Sequence, residues 1–102
     1  MRFIDRALPD DVDDAARLFA ALGHPVRLRI VAGLLSGACC VTLMVDCLGL
    51  PQSLVSRHLA VLREAGAVGV AREGRQRVYR VIHPLAPRLV AALRANSLEE
   101  SS

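Results

Sequence analysis

Residues 51–66, PQSLVSRHLAVLREAG, constrain the fold of this chain more than any other stretch. Their apolar side chains recur at spacings of one, four and three residues, which places them on one stripe of a helix. Pro51 suits the entry of such a helix, and Gly66 suits its end. The other face begins with short hydrogen-bonding side chains and an arginine, which suit base edges and phosphates. The stretch predicts either an ordinary amphipathic surface helix or one that reads DNA, and its neighbours decide between the two.

The residues upstream predict a shorter helix over about 42–48. We expect Leu43, Met44 and Leu48 to face the interior. Residues 49–51, Gly-Leu-Pro, then form a tight turn. Two helices joined by about three residues that include glycine are the helix-turn-helix pattern. The longer helix is therefore the expected recognition helix.

Downstream of Gly66 the apolar pattern alternates, which predicts a β-hairpin. We expect strands near 68–72 and 76–82, joined by a turn at residues 73–75. A helix-turn-helix followed by an arginine-rich hairpin is a winged helix, in which the hairpin is the wing. Four arginines lie within nine residues around this turn: Arg72, Arg75, Arg77 and Arg80.

Three further helices are expected, over about 12–22, 26–35 and 84–95. The first and the last keep apolar faces, and pairing across a two-fold axis would cover them. Two recognition helices would then meet successive major grooves of a palindromic DNA site. The expected fold is mainly α with a β-hairpin wing: a winged helix-turn-helix with four helices, two strands and a fifth helix in order, dimerising through the outer helices.

The length of 102 residues predicts a single domain over 1–102. We expect a loose N-terminal arm at 1–9 and a frayed tail at 97–102. Residues 1–14 contain no signal-peptide pattern, and no segment is long enough to span a membrane. The sequence therefore predicts a cytoplasmic protein without a membrane partner, whose cysteines are reduced by default.

Charge is distributed unevenly along the chain. The formal net charge is +3, and all 13 positively charged residues are arginines. Residues 1–16 carry five aspartates against two arginines, whereas residues 51–83 carry six arginines against two glutamates. An acidic front and a basic middle suit a protein that offers one face to a polyanion.

Two stretches carry a family resemblance, FAALGHPVRLRIVAGLL at 19–35 and SLVSRHLAVLREAGAVGVAREGRQRVYRV at 53–81. With them, roughly residues 12–95 resemble the ArsR/SmtB family of bacterial repressors. The most specific parts are the SRHLAVLREAG helix and the EGRQRVYRV wing. The resemblance implies a homodimer that binds double-stranded operator DNA and leaves it when an effector binds.

The candidate DNA contacts lie at the start of the recognition helix and around the wing. Glutamine and serine can read base edges, and arginine can bind guanine or a phosphate. Tyr79 is expected to pack within the wing, and His58 points either to the groove or along the helix side. The candidates are Gln52, Ser53, Ser56, Arg57 and His58 on the helix, and Arg72, Arg75, Gln76 and Arg77 on the wing.

The candidate metal or redox sensing residues are Cys39, Cys40 and Cys47, of which Cys47 has the least support. Cys40 falls in the N-cap or first-turn region of the third helix. Amide donors and the positive helix end would lower the pKa of its thiol. The adjacent thiolates of Cys39 and Cys40 suit a soft thiophilic ion, or could close a strained vicinal disulfide.

Cys47 does not join this pair easily. A helix rises ~1.5 Å per residue, so Cys40 and Cys47 would stand ~10 Å apart along the helix. Thiolates that share one ion must lie within roughly 4 Å of each other. The site must therefore use two thiols, partly unwind the start of the helix, or borrow a group from the partner chain. The alternative for Cys47 is an inert, half-buried thiol.

The effector is the most open part of the prediction. The resembled family's arsenite sensors carry a cysteine cluster on this helix, and Cys40 matches its first position. The next ligand position is Thr42 here, and no cysteine stands one turn further on. We expect As(III) or a similar soft ion as the effector, with no obligatory cofactor. The alternatives are an oxidant, peroxide or persulfide, that forms a Cys39–Cys40 disulfide, a DNA-binding protein with no effector, and a protein-interaction module.

Other kinds of site are not expected. The resembled family's zinc sensors place histidine and carboxylate ligands on the last helix, but residues 84–95 contain neither, and His83 stands alone. His24, which precedes Pro25, reads as a structural turn residue. The chain has no nucleophile elbow, phosphate loop or paired-carboxylate pattern, so we expect no enzymatic activity.

Overall fold

The structure is a computed structural model that describes residues 11–101, with side chains up to residue 97. The predicted arm at 1–9 therefore lies outside the described residues. The sequence prediction of a helical domain with a β-hairpin between the fourth and fifth helices is confirmed. The elements are α1 (Val12–Leu22), α2 (Pro25–Leu34), β1 (Cys39–Cys40), α3 (Val41–Leu48), α4 (Gln52–Glu64), β2 (Val68–Glu73), β3 (Gln76–Val81) and α5 (Ala86–Ser101).

The sheet contains one strand that the sequence analysis did not predict. Strand β1 pairs antiparallel with β3, so that the sheet order is β1-β3-β2. Cys39 lies opposite Tyr79, and Cys40 lies opposite Val78. Two residues are too few to show an alternating pattern, so this strand could not be recognised from the residues alone. The wing is therefore attached to the segment that carries the two adjacent cysteines.

The two remaining strands form the predicted hairpin. Glu73 pairs with Gln76, which leaves a two-residue loop of Gly74 and Arg75. Gly74 has a φ of 63°, a conformation that glycine adopts without steric cost and that II′ hairpin turns require at this position. The tight loop fixes the register of the wing.

The helix-turn-helix is joined by a short connection between α3 and α4. Gly49 ends α3 in the left-handed conformation, with a φ of 66°. Its N–H donates to the carbonyl of Val45 at 2.9 Å. Pro51 then precedes the first residue of α4 in extended conformation. The conformations of Gly49 and Pro51 therefore fix the direction of α4 relative to the end of α3.

The core is aliphatic, and it lies under α4. The side chains with no more than 1% exposure include Leu18 of α1, Val31 of α2 and Val68 of β2. Three residues of α4 belong to this set: Val55, Leu59 and Leu62. The apolar stripe of α4 is therefore the surface on which the other elements pack.

The prediction that Leu43 faces the interior is wrong. Leu43 is 55% exposed, whereas its neighbour Met44 is 6% exposed. Successive residues of a helix point in different directions, so one narrow stripe of a short helix cannot bury both. Leu48, four residues after Met44, lies on the same side and is partly buried.

The last helix differs from its prediction at both ends. It begins at Ala86 rather than near residue 84, and it ends at Ser101 rather than near residue 95, so that it includes residues 96–101. This segment contains no glycine or proline, and Leu98 and Glu99 have good helix propensity.

His83 connects α1 to the start of α5. It is 8% exposed, and its Nδ1 accepts a hydrogen bond from the backbone N–H of Leu85 at 3.1 Å. The proton is therefore on Nε2, which donates to the Asp14 carboxylate at 3.0 Å. This contact holds the two outer helices at one end of the molecule.

Exposed apolar side chains of α1 and of the segment between β3 and α5 lie beside this contact. Val12 and Phe19 of α1 are 39% and 52% exposed, and Ile82 is 58% exposed. These three residues line a cavity of about 850 Å³ between α1 and the entry of α5. Among the described helices, none is long and apolar enough to cross a membrane.

His58 is a packing residue of α4. It is 6% exposed, and its ring centroid lies 4.5 Å from that of His24. Its Nδ1 is 3.3 Å from an Nη1 of Arg27. An arginine can only donate, so Nδ1 accepts and the neutral ring carries its proton on Nε2. Burial first, and then the nearby His24, Arg27 and Arg57, lower the pKa of His58 below the ordinary 6.5.

The lowered pKa of the buried His58 ring predicts that the folded chain loses stability in acid. Because the pKa of His58 is lower in the folded chain, the unfolded chain takes up this proton first as the pH falls. The contribution of the neutral His58 ring to the free energy of unfolding is present above about pH 6.5. It is lost as the pH falls through the pKa that His58 has in the folded chain. Urea unfolding between about pH 7.5 and about pH 5 should show this loss. The variant His58→Gln keeps an acceptor for Arg27 but does not titrate, so its free energy of unfolding should fall less than that of the wild type. Equal losses in both proteins would show that His58 is not the group responsible.

Candidate nucleic-acid interface and sulfur site

Four of the five predicted contacts on the recognition helix are exposed. Gln52, Ser53, Ser56 and Arg57 lie in the first two turns of α4, away from its apolar stripe. The first turn contains no acidic residue, so the free N–H groups at this helix end keep their positive character toward an anion. These turns can therefore combine phosphate binding with hydrogen bonds to base edges.

His58 does not belong to this exposed set. Its side chain is directed into the interior against His24 and Arg27, as described above. The prediction placed it with its sequence neighbours, but the helical period turns it onto the buried stripe beside Leu59. It packs on the interior side of α4, opposite the exposed candidate contacts.

The wing carries its predicted basic residues on the outside. Arg72, Arg75, Gln76 and Arg77 are all exposed. Arg80 is the exception among the wing arginines, because its guanidinium lies 3.5 Å from the Glu73 carboxylate. Among the described residues, no acidic side chain pairs with the other three arginines.

The register places Arg72 directly opposite Arg77. Like charges at directly opposed positions of an antiparallel pair destabilise the sheet. A bound polyanion would turn this repulsion into a favourable contact with both guanidinium groups. The arrangement is therefore explained better by an anionic partner than by stability of the hairpin alone.

A cleft of about 630 Å³ lies between α4 and the wing. Gln52, Ser56 and Arg63 line it from α4, and Arg77 lines it from β3. Tyr79 also borders it but is only 8% exposed, which agrees with its predicted packing role. The helix and the wing thus form one concave basic surface.

The two adjacent cysteines do not share a surface. In a strand, successive side chains point to opposite faces, and Cys39 and Cys40 occupy the strand β1. Cys40 is 8% exposed, and Cys39 is partly buried. The prediction that the pair acts together therefore requires a rearrangement of β1.

The local electrostatics do not favour a thiolate at Cys39. Burial, and then the neighbouring thiols of Cys40 and Cys47, raise the pKa of Cys39 above the ordinary 9.0. Its Sγ donates to the Cys40 carbonyl at 3.3 Å. Cys40 is the N-cap of α3, as expected, and its side chain makes no capping hydrogen bond.

Cys47 lies on the same side as Cys39. Both line a cavity of about 170 Å³ between α2, β1 and α3, together with Met44. This relation could not be predicted from helix spacing, because Cys39 precedes α3 and its position depends on the pairing of β1 with β3. Among the described residues, no three histidine, cysteine or acidic side chains come together as a metal site.

Comparisons with known proteins agree with this geometry. The profile of the arsR family of bacterial regulatory proteins matches residues 24–69. The biofilm growth-associated repressor of Xylella fastidiosa is 38% identical over 81 residues, which are 79% of this chain and 71% of that protein. The transcriptional repressor SmtB of Mycobacterium tuberculosis is 46% identical over 70 residues, 69% of this chain; the chain spans only 52% of that relative.

A solved structure gives the same fold. The homodimeric winged helix-turn-helix DNA-binding domain of Mb0332 from Mycobacterium bovis superposes with a TM-score of 0.77 at 27% identity. The match covers 97% of this chain and 92% of that domain. The three relatives are described as repressors or a DNA-binding domain and not as enzymes, in agreement with the sequence prediction. The chain belongs to the ArsR family of bacterial regulatory proteins.

Proposed function

We propose that this protein is a homodimeric transcriptional repressor that binds double-stranded operator DNA through α4 and the wing. The observation that carries the proposal is the exposed arginine pair of the wing, Arg72 opposite Arg77, beside the polar start of α4. Such a surface gains most from a partner with closely spaced negative charges. Binding at chromosomal DNA would place the protein in the cytoplasm.

Dimerisation would use the apolar surface of the outer helices. Val12, Phe19 and Ile82 are large apolar side chains that a lone domain leaves exposed, and they line one cavity. A two-fold axis through this surface would cover them and place two copies of α4 side by side. An inverted repeat in the operator follows from that symmetry.

The effector would act on the thiols beside α3. Arsenite or a similar thiophilic ion at Cys39 and Cys40 needs both sulfurs on one side, and the alternating strand keeps them apart. Binding would therefore draw β1 away from β3 and disturb α3, whose end positions α4. A coupling of about 1–3 kcal/mol is enough to change operator occupancy.

A second candidate effector is an oxidant. A hydroperoxide would oxidise the two thiols to a disulfide and would itself be reduced to an alcohol and water. The same strand must open for the Cys39–Cys40 bond to form, so both effectors would have the same structural consequence.

The DNA surface can be tested with two arginine variants. Arg57→Ala and Arg77→Ala should each weaken operator binding by about tenfold, because each removes a charge-assisted contact. If Arg77 contacts a phosphate, its variant should also flatten the salt dependence of the affinity. Fluorescence anisotropy on a labelled operator at several salt concentrations measures both effects. Arg94→Ala, an exposed arginine of α5, is the matched control; equal losses in all three variants would contradict the proposed surface.

The dimer surface can be tested with a charge. Phe19→Asp should convert the dimer to monomers, because it places a carboxylate in the centre of the apolar surface. Light scattering coupled to size-exclusion chromatography gives the mass. Leu43→Asp alters an equally exposed leucine on α3, and should remain dimeric. A dimeric Phe19→Asp protein would contradict this surface.

The effector can be tested by operator release from the fully reduced protein. Arsenite, zinc and peroxide are compared in the wild type and in Cys39→Ser, Cys40→Ser and Cys47→Ser. We expect release by arsenite that is lost in the first two variants. Release by peroxide alone would favour the disulfide, and release by none of these agents would exclude them as effectors at these thiols.

A further inference from the structure

A groove of about 570 Å³ lies between α2 and α5. Its apolar walls come from Leu28 and Ala32 of α2 and from Val90 and Leu93 of α5. Pockets of roughly 300–1,000 Å³ with mostly apolar walls and a few polar groups are typical of small-molecule sites. The groove therefore has the size and the lining of a ligand site.

The course of α5 explains why this groove is open. Ala86, Val90 and Leu93 follow one another at spacings of four and three residues, so they lie on one face of the helix. Ala86 and Val90 are 0% and 4% exposed, whereas Leu93 is 50% exposed. Burial is lost along this face within one turn, so α5 leaves the core at this point and its apolar face is no longer covered.

Two arginines add positive charge to the apolar walls. Arg29 of α2 and Arg94 of α5 both line the groove, and both are exposed. Among residues 11–97, no acidic side chain pairs with either guanidinium. The described residues that line the groove include no acidic and no aromatic side chain, and Ser97 is the one further polar residue.

This lining determines which class of ligand fits. A carboxylate accepts charge-assisted hydrogen bonds from guanidinium groups, and its two oxygens match their geometry. The aliphatic walls suit an alkyl chain, whereas a sugar or a nucleobase would leave polar groups there without hydrogen-bond partners. The groove is therefore complementary to an anion with a single charged end and an apolar chain.

A second copy of the chain fits the groove less well. In a two-fold interface the same surface patch meets itself, so an axis through the groove would bring Arg29 and Arg94 against their own copies. These four like charges would repel one another. The surface proposed above for dimerisation, with Val12, Phe19 and Ile82, shares no lining residue with the groove.

We propose that the groove between α2 and α5 binds a linear aliphatic carboxylate, such as a medium-chain fatty-acid anion. Arg29 and Arg94 hold the carboxylate, and the chain lies along Leu28, Val90 and Leu93. This binding site uses none of the thiols and none of the candidate DNA contacts.

Arg29 also connects the groove to the helix-turn-helix. It lines the cavity of about 170 Å³ beside α3, together with Leu43 and Leu48. A carboxylate that holds the Arg29 guanidinium in the groove would change the packing against α3, which positions α4. An effect of the ligand on operator affinity follows, and this consequence alone rests on the repressor function proposed above.

The test is calorimetric titration of the wild type with octanoate, decanoate and octanol, each below its micellar or solubility limit. Octanoate should bind more tightly than octanol, because only the carboxylate pairs with the arginines. Decanoate should bind more tightly than octanoate, by at most about fourfold for each added methylene. Equal affinities for octanoate and octanol, or no dependence on chain length, would overturn the proposal.

Arginine variants test the charged end of the site. Arg29→Met and Arg94→Met keep an apolar stem, so each should bind octanol like the wild type but octanoate about fivefold more weakly. Arg88→Met, an exposed arginine of α5 outside the lining, is the matched control and should leave both affinities unchanged. Equal losses in all three variants would show that the anion is attracted only by the general positive charge.

Leu93→Asp tests the apolar wall and the alternative occupant together. Leu93 is exposed, so the variant should fold, as thermal unfolding can confirm, and remain dimeric, but it should bind decanoate at least tenfold more weakly. Leu43→Asp, at an equally exposed leucine of α3, should bind decanoate like the wild type. Conversion of Leu93→Asp to monomers would overturn the proposal, because it would show that a second copy covers the groove.

The consequence for DNA is measured separately, as operator affinity with and without saturating decanoate. By linkage, operator DNA should change the affinity for decanoate by the same factor. Decanoate binding with an unchanged operator affinity would refute the connection through Arg29 and leave the binding site intact.

Discussion

The pairing of β1 with β3 is the contact on which the rest of the arrangement depends. It is only two residues long, yet it joins the cysteine segment to the wing through Tyr79 and Val78. Cys40 is at the same time the N-cap of α3. One short ladder therefore connects the wing both to the candidate sensing residues and to the start of α3. An effector that joins Cys39 to Cys40 would have to open this ladder, because the strand directs the two side chains to opposite faces.

Much of the fold could be predicted from the sequence, because its signals are local. The helical stripe of α4, the glycine turns and the alternation of the hairpin each depend on residues close in the chain. Two features were missed because they depend on distant contacts. Strand β1 exists because β3 pairs with it, and His83 is held by Asp14, 69 residues away.

The candidate site was predictable to the same degree. The exposed residues of α4 and the wing follow from composition and period, whereas the burial of His58 depends on His24, the N-cap of α2, and on Arg27 within α2. The adjacency of Cys39 and Cys40 in the sequence predicted that they share one site. In the structure they lie in a strand, which directs their side chains to opposite faces. Met44 gave no sequence signal, because a buried methionine in a helix is usually only a core residue.

Because the connection at Gly49 is short, a tilt of α3 at its cysteine end would displace the start of α4. The helix has eight residues, which corresponds to a length of about 12 Å. A tilt of about 10° at its cysteine end would move its far end by about 2 Å. A hydrogen bond to a base edge tolerates only about 0.5 Å, since donor and acceptor must lie about 2.7–3.2 Å apart. A displacement of this size would therefore be large enough to break the hydrogen bonds to base edges that we propose for α4.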